Sequence, residues 1–205
     1  MATLAIWLLI AYGFLTLFVR VAIQLVRTGR TGFIGIARGA GPLGLLAGVL
    51  FIGGMAMAVL AINDVRRGSL ATIDLLDVSW LNVVGIALAA AGGTAVFLAQ
   101  LGMGASWRIG VDREERTALI TSGWFSLVRN PIYSAMIVGW LGFGLIVPTW
   151  LGFAGAALVA LGLELQVRTV EEPYLVRTHG DSYLAYAARV GRFLPGVGRL
   201  HAGGA

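Results

Sequence analysis

Long apolar runs constrain this chain more than any other feature of its sequence. The stretches 2–19, 41–62 and 80–101 contain no charged residue. At a rise of about 1.5 Å per residue, a helix of about 20 apolar residues crosses the ~30 Å hydrocarbon core of a bilayer. These stretches therefore predict three membrane-spanning helices.

Two shorter apolar runs follow, at 132–147 and 149–165, with only Pro148 between them. Each run crosses the membrane only if its ends lie at the membrane edges. The pair predicts a helical hairpin that either spans twice or re-enters the membrane from one side. We predict an all-α integral membrane protein with five transmembrane helices, of which the last two form this short hairpin.

The composition agrees with a membrane protein and limits the chemistry. The mean hydropathy is +0.86 and charged residues make up 12% of the chain, whereas soluble domains carry about 25%. The chain has no cysteine, and its two histidines are His179 and His201. Because zinc and iron sites are built mostly from these two residue types, we expect no metal site.

The arginines test the number of spans independently, because cytoplasmic loops hold an excess of positive charge. Five spans place thirteen of the fifteen arginines on one side and leave Arg66 and Arg67 on the other. The thirteen are Arg20, Arg27, Arg30, Arg38, Arg108, Arg113, Arg116, Arg129, Arg168, Arg177, Arg189, Arg192 and Arg199. This partition predicts a multi-pass protein of the cell inner (plasma) membrane, with the N-terminus outside and the active site facing the cytoplasm.

Lysine is absent, so the whole positive charge comes from arginine. We interpret this bias as typical of a bacterial genome of high GC content, and we expect no nucleic-acid partner. Polar residues concentrate in the second half of the chain. We therefore divide it into an N-terminal unit, 1–101, with three transmembrane helices, and a unit at 102–205 with a cytoplasmic loop, the hairpin and a C-terminal helix.

The segment 119–133 joins a turn signal, an arginine and an Asn-Pro pair that opens a membrane helix. Pro131 suits the first helical turn, where its missing N–H is no loss, and Asn130 is a suitable N-cap. The segment is either a capped helix start at the membrane interface, with Arg129 and Trp124 as anchors, or part of a functional site.

Four ionisable residues lie on the extension of the last spanning helix: Glu164, Arg168, Glu171 and Glu172. A spacing of four pairs Glu164 with Arg168 and Arg168 with Glu172. Ionisable residues near membrane depth are costly and indicate function. A salt-bridged helix end emerging into water would still leave at least one carboxylate without a partner.

A second helix is predicted directly after this extension. His179-Gly180 ends the first helix, and Asp181 or Ser182 begins the next. Tyr183, Tyr186 and Val190 share one stripe of this amphipathic C-terminal helix. Such a helix either lies on the cytoplasmic membrane surface or folds back as a lid over the bundle.

Three motifs in the second half of the chain occur in a fixed order. They are Leu-Ile-Thr-Ser-Gly-Trp-Phe-(x3)-Arg-Asn-Pro-Ile-Tyr from 119, Arg-(x2)-Glu-Glu from 168, and Gly-Asp-Ser-Tyr-(x2)-Tyr-(x2)-Arg-Val-(x3)-Leu-Pro from 180. They resemble the isoprenylcysteine carboxyl methyltransferase family of membrane methyltransferases, and the resemblance covers about residues 105–196. The resemblance implies S-adenosylmethionine as methyl donor, bound in a cytoplasmic-facing pocket, and a lipophilic acceptor that enters from the bilayer.

The resemblance also implies roles for individual residues. The cofactor-binding set is Leu119, Ile120, Phe125, Arg129, Asn130, Tyr133, Glu171, Glu172, Tyr183 and Tyr186. The catalytic set is Arg168, on the acceptor side, with Glu171 and Glu172. The family usually has histidine where Asn130 stands and tyrosine where Phe125 stands. Asparagine can still hydrogen-bond the cofactor and phenylalanine can still stack on adenine.

We therefore predict an S-adenosylmethionine-dependent methyltransferase that acts on an isoprenoid or other lipid-like acceptor. A carboxylate acceptor needs only orientation, by Arg168, whereas an amine or hydroxyl needs a base, for which Glu171 or Glu172 is nearest. Phospholipid N-methylation is an alternative in the same reaction class. Further alternatives are an NADPH-dependent membrane reductase, because sterol reductases share the C-terminal tyrosine pattern, and a non-catalytic membrane scaffold.

Overall fold

The computed structural model describes residues 1–33, 41–110 and 118–200. Over these ranges the chain is helical, and the only extended pairings are two isolated bridges, Phe33 with Ile109 and Val128 with Gly191. The helices are α1 Ala2–Thr28, α2 Gly41–Arg67, α3 Ser79–Gly102, α4 Pro131–Ile146, α5 Trp150–His179 and α6 Asp181–Ala187. The predicted all-α architecture is confirmed. Arg38, Arg113, Arg116 and His201 lie outside the described residues.

By length and composition, α1, α2, α3 and α5 can each cross a membrane. Helix α4 is equally apolar but has only 16 residues. Several helices able to span a membrane are therefore confirmed, while a full span by α4, and with it the total of five, stays a prediction.

Helix α1 extends beyond the apolar run that predicted it. The predicted end at 19 was too early, because hydropathy marks the apolar part of a helix whereas its backbone hydrogen bonds continue into the interface. Helix α5 continues past its apolar run to His179, as the sequence predicted. Each helix also contains a π-helical segment, Phe14–Val19 in α1 and Val167–Glu171 in α5. A π-helical turn holds more residues than an α-helical one, so it rotates the side chains that follow it.

The two arms of the predicted hairpin pack along different N-terminal helices, α4 along α3 and α5 along α2. Glycines allow both contacts. A Cβ atom at Gly92 would lie 2.7 Å from the Cα of Gly139, and a Cβ atom at Gly155 would lie 2.6 Å from the carbonyl oxygen of Gly54. Such close backbone approach through small residues is typical of helix packing in lipid.

Loops identify two ends of the bundle. At one end, Ile73 N–H donates to the Pro148 carbonyl at 2.7 Å, and the Asn82 side chain donates to the Leu145 carbonyl at 3.2 Å. Helix α2 ends with Arg66 and Arg67 just before this loop. The candidate site lies at the other end, where α4 begins. Which end faces the cytoplasm stays a prediction.

Candidate active site

The start of α4 pairs with the C-terminal segment through backbone hydrogen bonds. Arg129 N–H donates to the Gly191 carbonyl at 2.8 Å, and Asn130 N–H donates to the Arg192 carbonyl at 3.1 Å. Pro131 occupies the first turn as predicted. Asn130 is the N-cap residue, as predicted, but its side chain makes no capping hydrogen bond. Its Nδ2 donates to the Arg192 carbonyl instead, at 3.2 Å.

Arg129 is buried and fastens this segment further. Its Nη1 donates to the carbonyls of Ala187, at 3.0 Å, and Val190, at 2.7 Å. Its Nη2 donates to the Gly198 carbonyl at 3.0 Å and to Glu172 Oε1 at 2.5 Å. With only Nε left without a partner, Arg129 is suited to shaping the site more than to reaching a ligand.

Glu172 lies between two arginines. Besides Arg129, it binds Arg192, whose Nε and Nη2 donate to the two carboxylate oxygens at 2.9 Å each. This hydrogen bonding raises the pKa of the Arg192 guanidinium. The ion pair is buried on both sides, with side-chain exposures of 9% and 10%.

The predicted ion pair between Arg168 and Glu172 was wrong. Among the described residues, Arg168 forms an ion pair with Glu164, the other predicted partner, and not with Glu172; its side chain is 58% exposed. The π-helical segment Val167–Glu171 contains Arg168 and ends directly before Glu172. A spacing of four places residues on one face of an α-helix but not of a π-helix.

Glu171 has different surroundings from its neighbour. The Tyr133 hydroxyl donates a short hydrogen bond to Glu171 Oε1, which joins α4 to α5. Within the described residues, no arginine lies within ion-pair distance of Glu171. A partly buried carboxyl group with a neutral donor and no counter-ion is costly to ionise, and a positively charged ligand would stabilise its ionised form.

Aromatic side chains of α6 form a wall beside these groups. Tyr183 and Tyr186 are buried with their rings edge to face, 6.2 Å between centroids. The Tyr186 hydroxyl donates to the Phe125 carbonyl at 2.5 Å, and burial raises the pKa of Tyr186 to about 12, so the hydroxyl remains a donor at neutral pH. Leu119 packs against the same tyrosines. Helix α6 therefore packs its two tyrosines against the protein, while its role as a lid stays a prediction.

The structure thus brings most of the predicted residues together. Ile120 is half-buried without a contact that defines its role, and Arg168 lies at the exposed margin. The sequence analysis missed Arg192. A signal for it existed, since a buried carboxylate so close to the C-terminal arginines needs a cationic partner. Within the described residues, no group of three His, Cys, Asp or Glu side chains is placed to hold a metal ion.

A family model described as phospholipid methyltransferase matches residues 80–182, half of the chain. This stretch runs from α3 into the first residues of α6, and it ends before Arg192. No curated protein and no solved structure matches.

Proposed function

Because this chain belongs to the phospholipid methyltransferase family, we propose that its methyl donor is S-adenosylmethionine and that its acceptor is an amine-bearing membrane lipid. Membership of the family makes the chain a membrane methyltransferase. The proposal concerns the identity of the donor and of the acceptor. The observation that carries it is that Glu171 accepts a hydrogen bond from Tyr133 but has no cationic partner within the described residues.

The residues of the site suit this donor. S-adenosylmethionine carries a positive sulfonium and an ammonium group, and Glu171 has no cationic partner within the described residues. An adenine ring would find apolar and aromatic surface at Leu119 and Phe125, whereas Tyr183 is buried inside the protein. When bound, the donor supplies an activated methyl group, and its transfer by in-line displacement depends on alignment and on exclusion of water.

The two glutamates receive different roles in this proposal. Tyr133 holds the Glu171 carboxylate in place through its hydroxyl. Glu172 is engaged by Arg129 and Arg192 at both oxygens. We therefore assign ligand contact to Glu171 and the building of the pocket wall to Glu172.

The arginines favour an amine acceptor over a carboxylate. An acceptor carboxylate needs a cation to orient it, but Arg129 and Arg192 are engaged by Glu172, and Arg168 is engaged by Glu164. An amine must lose a proton as the methyl group is transferred, and Glu171 is the base nearest the site. Arg168 is exposed, so it is placed to attract the phosphate of a phospholipid.

Carboxylate methylation of an isoprenoid remains the second candidate, with Arg168 leaving Glu164 to orient the acceptor. The reductase alternative gains no support from a family match whose description is a methyltransferase.

The acceptor can be identified with S-adenosylmethionine labelled in its methyl group. The protein is reconstituted in nanodiscs that contain phosphatidylethanolamine or, separately, an isoprenoid carboxylic acid in phosphatidylcholine. We expect label in the aminophospholipid, and we expect Glu171→Gln to abolish it while Asp181→Asn, at an exposed acid on α6, retains it. Label found only as a base-labile methyl ester would contradict the amine proposal.

A further inference from the structure

Arg192 lies beyond the stretch matched by the family model, yet it is bonded to two carboxylates of α5. Its Nε and Nη2 bind Glu172, and its Nη1 binds Glu164 Oε1 at 3.4 Å. The residue is only 8% exposed. A planar guanidinium can bridge two carboxylates in this way because its donors point in fixed, divergent directions.

Glu164 extends this connection towards the exposed side of the site, because the same Oε1 atom also accepts from Arg168 Nε. Arginines and glutamates thus alternate in one continuous chain of contacts: Arg129, Glu172, Arg192, Glu164 and Arg168. This series of contacts begins at Arg129, beside the start of α4, and ends at Arg168, the arginine proposed to attract the acceptor.

The backbone of Arg192 is also held by hydrogen bonds. Its N–H donates to the Val197 carbonyl at 2.7 Å, and its carbonyl accepts from both the N–H and the Nδ2 of Asn130. The guanidinium therefore starts from a backbone position that is set by α4 on one side and by the C-terminal turn on the other.

We propose that Arg192 is a positioning residue for methyl transfer, because it holds Glu172 in the pocket wall and sets Glu164 so that Arg168 faces the acceptor. Arg192 neutralises Glu172, so that Glu171 is left as the carboxylate that meets the ligand. It also couples the cofactor side of the site to the acceptor side. This inference rests on the proposed function.

Two substitutions separate the two sides of this coupling. Arg192→Lys keeps the charge but cannot bind both oxygens of Glu172 while reaching Glu164. We expect it to raise the KM for S-adenosylmethionine and the KM for the lipid, each roughly tenfold. Glu164→Gln removes the charge that connects Arg192 to Arg168 and leaves the contacts between Arg192 and Glu172 in place. We therefore expect a similar rise in the KM for the lipid and an unchanged KM for the cofactor.

Arg189→Lys is the matched control. Arg189 is exposed, and its Nε donates to the Ala185 carbonyl of its own helix at 3.3 Å. We expect this variant to retain both wild-type KM values. Apparent melting temperatures of all variants are measured in the same detergent.

The outcomes are distinguishable. Wild-type protein that transfers no methyl group and binds no S-adenosylhomocysteine would overturn the proposed function and this inference with it. If the wild type is active, a drop in melting temperature of Arg192→Lys with both KM values unchanged means that Arg192 is purely structural, which would overturn the inference alone. So would a Glu164→Gln variant whose KM for the lipid equals that of the wild type.

Discussion

Arg192 donates two hydrogen bonds of 2.9 Å to Glu172, one to each carboxylate oxygen. Arg129 approaches Oε1 of the same carboxylate at 2.5 Å. The next residue back along the chain, Glu171, accepts a hydrogen bond from the hydroxyl of Tyr133 and has no arginine within ion-pair distance among the described residues. The two adjacent glutamates therefore have different roles, Glu172 in stability and Glu171 in activity, and substitutions should distinguish these roles.

Replacing Glu172 should lower the stability of the fold. Glu172→Leu removes the counter-ion of the buried Arg129 and leaves Arg192 with Glu164 alone, at 3.4 Å. Breaking a buried ion pair by removing one partner costs about 3–5 kcal/mol. We expect a clearly lower apparent melting temperature in detergent. Glu164→Gln serves as the control, because Glu164 is more exposed. A Glu172→Leu variant as stable as the wild type would show that the buried network contributes little.

Replacing Glu171 should damage activity and leave the fold intact. Glu171→Gln still accepts the Tyr133 hydrogen bond but can neither attract a cation nor take up a proton. General base catalysis contributes about 10²–10⁴-fold, so we expect kcat to fall within that range. The test is methyl transfer at saturating substrates, beside a melting curve. Wild-type kcat in this variant would remove Glu171 from the mechanism.

Tyr133→Phe should show a smaller effect of the same kind. It deletes only the hydrogen bond that orients Glu171, and a hydrogen bond to a charged group contributes about 1.5–3 kcal/mol. We expect kcat to fall about tenfold or more, with the apparent melting temperature close to that of the wild type. A kcat reduced more than in Glu171→Gln would mean that Tyr133 acts directly on the substrates.

Gly191→Ala should open the C-terminal turn that supports Arg192. A Cβ atom at Gly191 would lie 2.1 Å from the Leu194 carbonyl oxygen, so the backbone must move. Overpacking of this kind costs about 1–3 kcal/mol. We expect lower thermal stability and weaker cofactor binding. The matched control is Gly53→Ala in α2, where the added methyl group meets open space, and equal behaviour of the two variants would contradict the prediction.

The sequence predicted the apolar helices and several of the residues that the structure brings together, but neither Arg192 nor how the charges are paired. Hydropathy located the helices because lipid demands long apolar runs. The Arg168–Glu172 pair failed because helical spacing assumes a regular α-helix, and Val167–Glu171 is π-helical. The bonds that Arg129 and Arg192 make to Glu172 join segments far apart along the chain, and no local pattern reports them.

Hydropathy also did not predict that a polar residue in the second half of α1 is buried. Arg20 was counted as a loop arginine, yet it is 1% exposed and lies over the Trp107 ring at 4.3 Å. Its Nη2 donates to the Gly104 carbonyl at 2.8 Å, and its Nε donates to the Gln100 carbonyl at 3.3 Å. The arginine therefore satisfies carbonyls at the C-terminal end of α3, which carries partial negative charge.

Arg20→Leu should loosen α1 from α3. The variant removes two hydrogen bonds from a charged donor, each contributing about 1.5–3 kcal/mol. We expect a lower apparent melting temperature in detergent and faster proteolysis near residue 104. Arg27→Leu, at an exposed position of the same helix, should melt like the wild type. Equal stability of the two variants would show that α1 is held by apolar packing alone.

Ligand binding by the purified protein tests the central claim most directly. Detergent-purified wild type is titrated with S-adenosylhomocysteine and, separately, with NADPH, while thermal stability is followed. A ligand of the native state at 100 times its Kd stabilises by about 2.7 kcal/mol. We predict stabilisation by S-adenosylhomocysteine, loss of most of that effect in Glu171→Gln, its retention in Asp181→Asn, and no effect of NADPH. Stabilisation by NADPH alone would contradict the account.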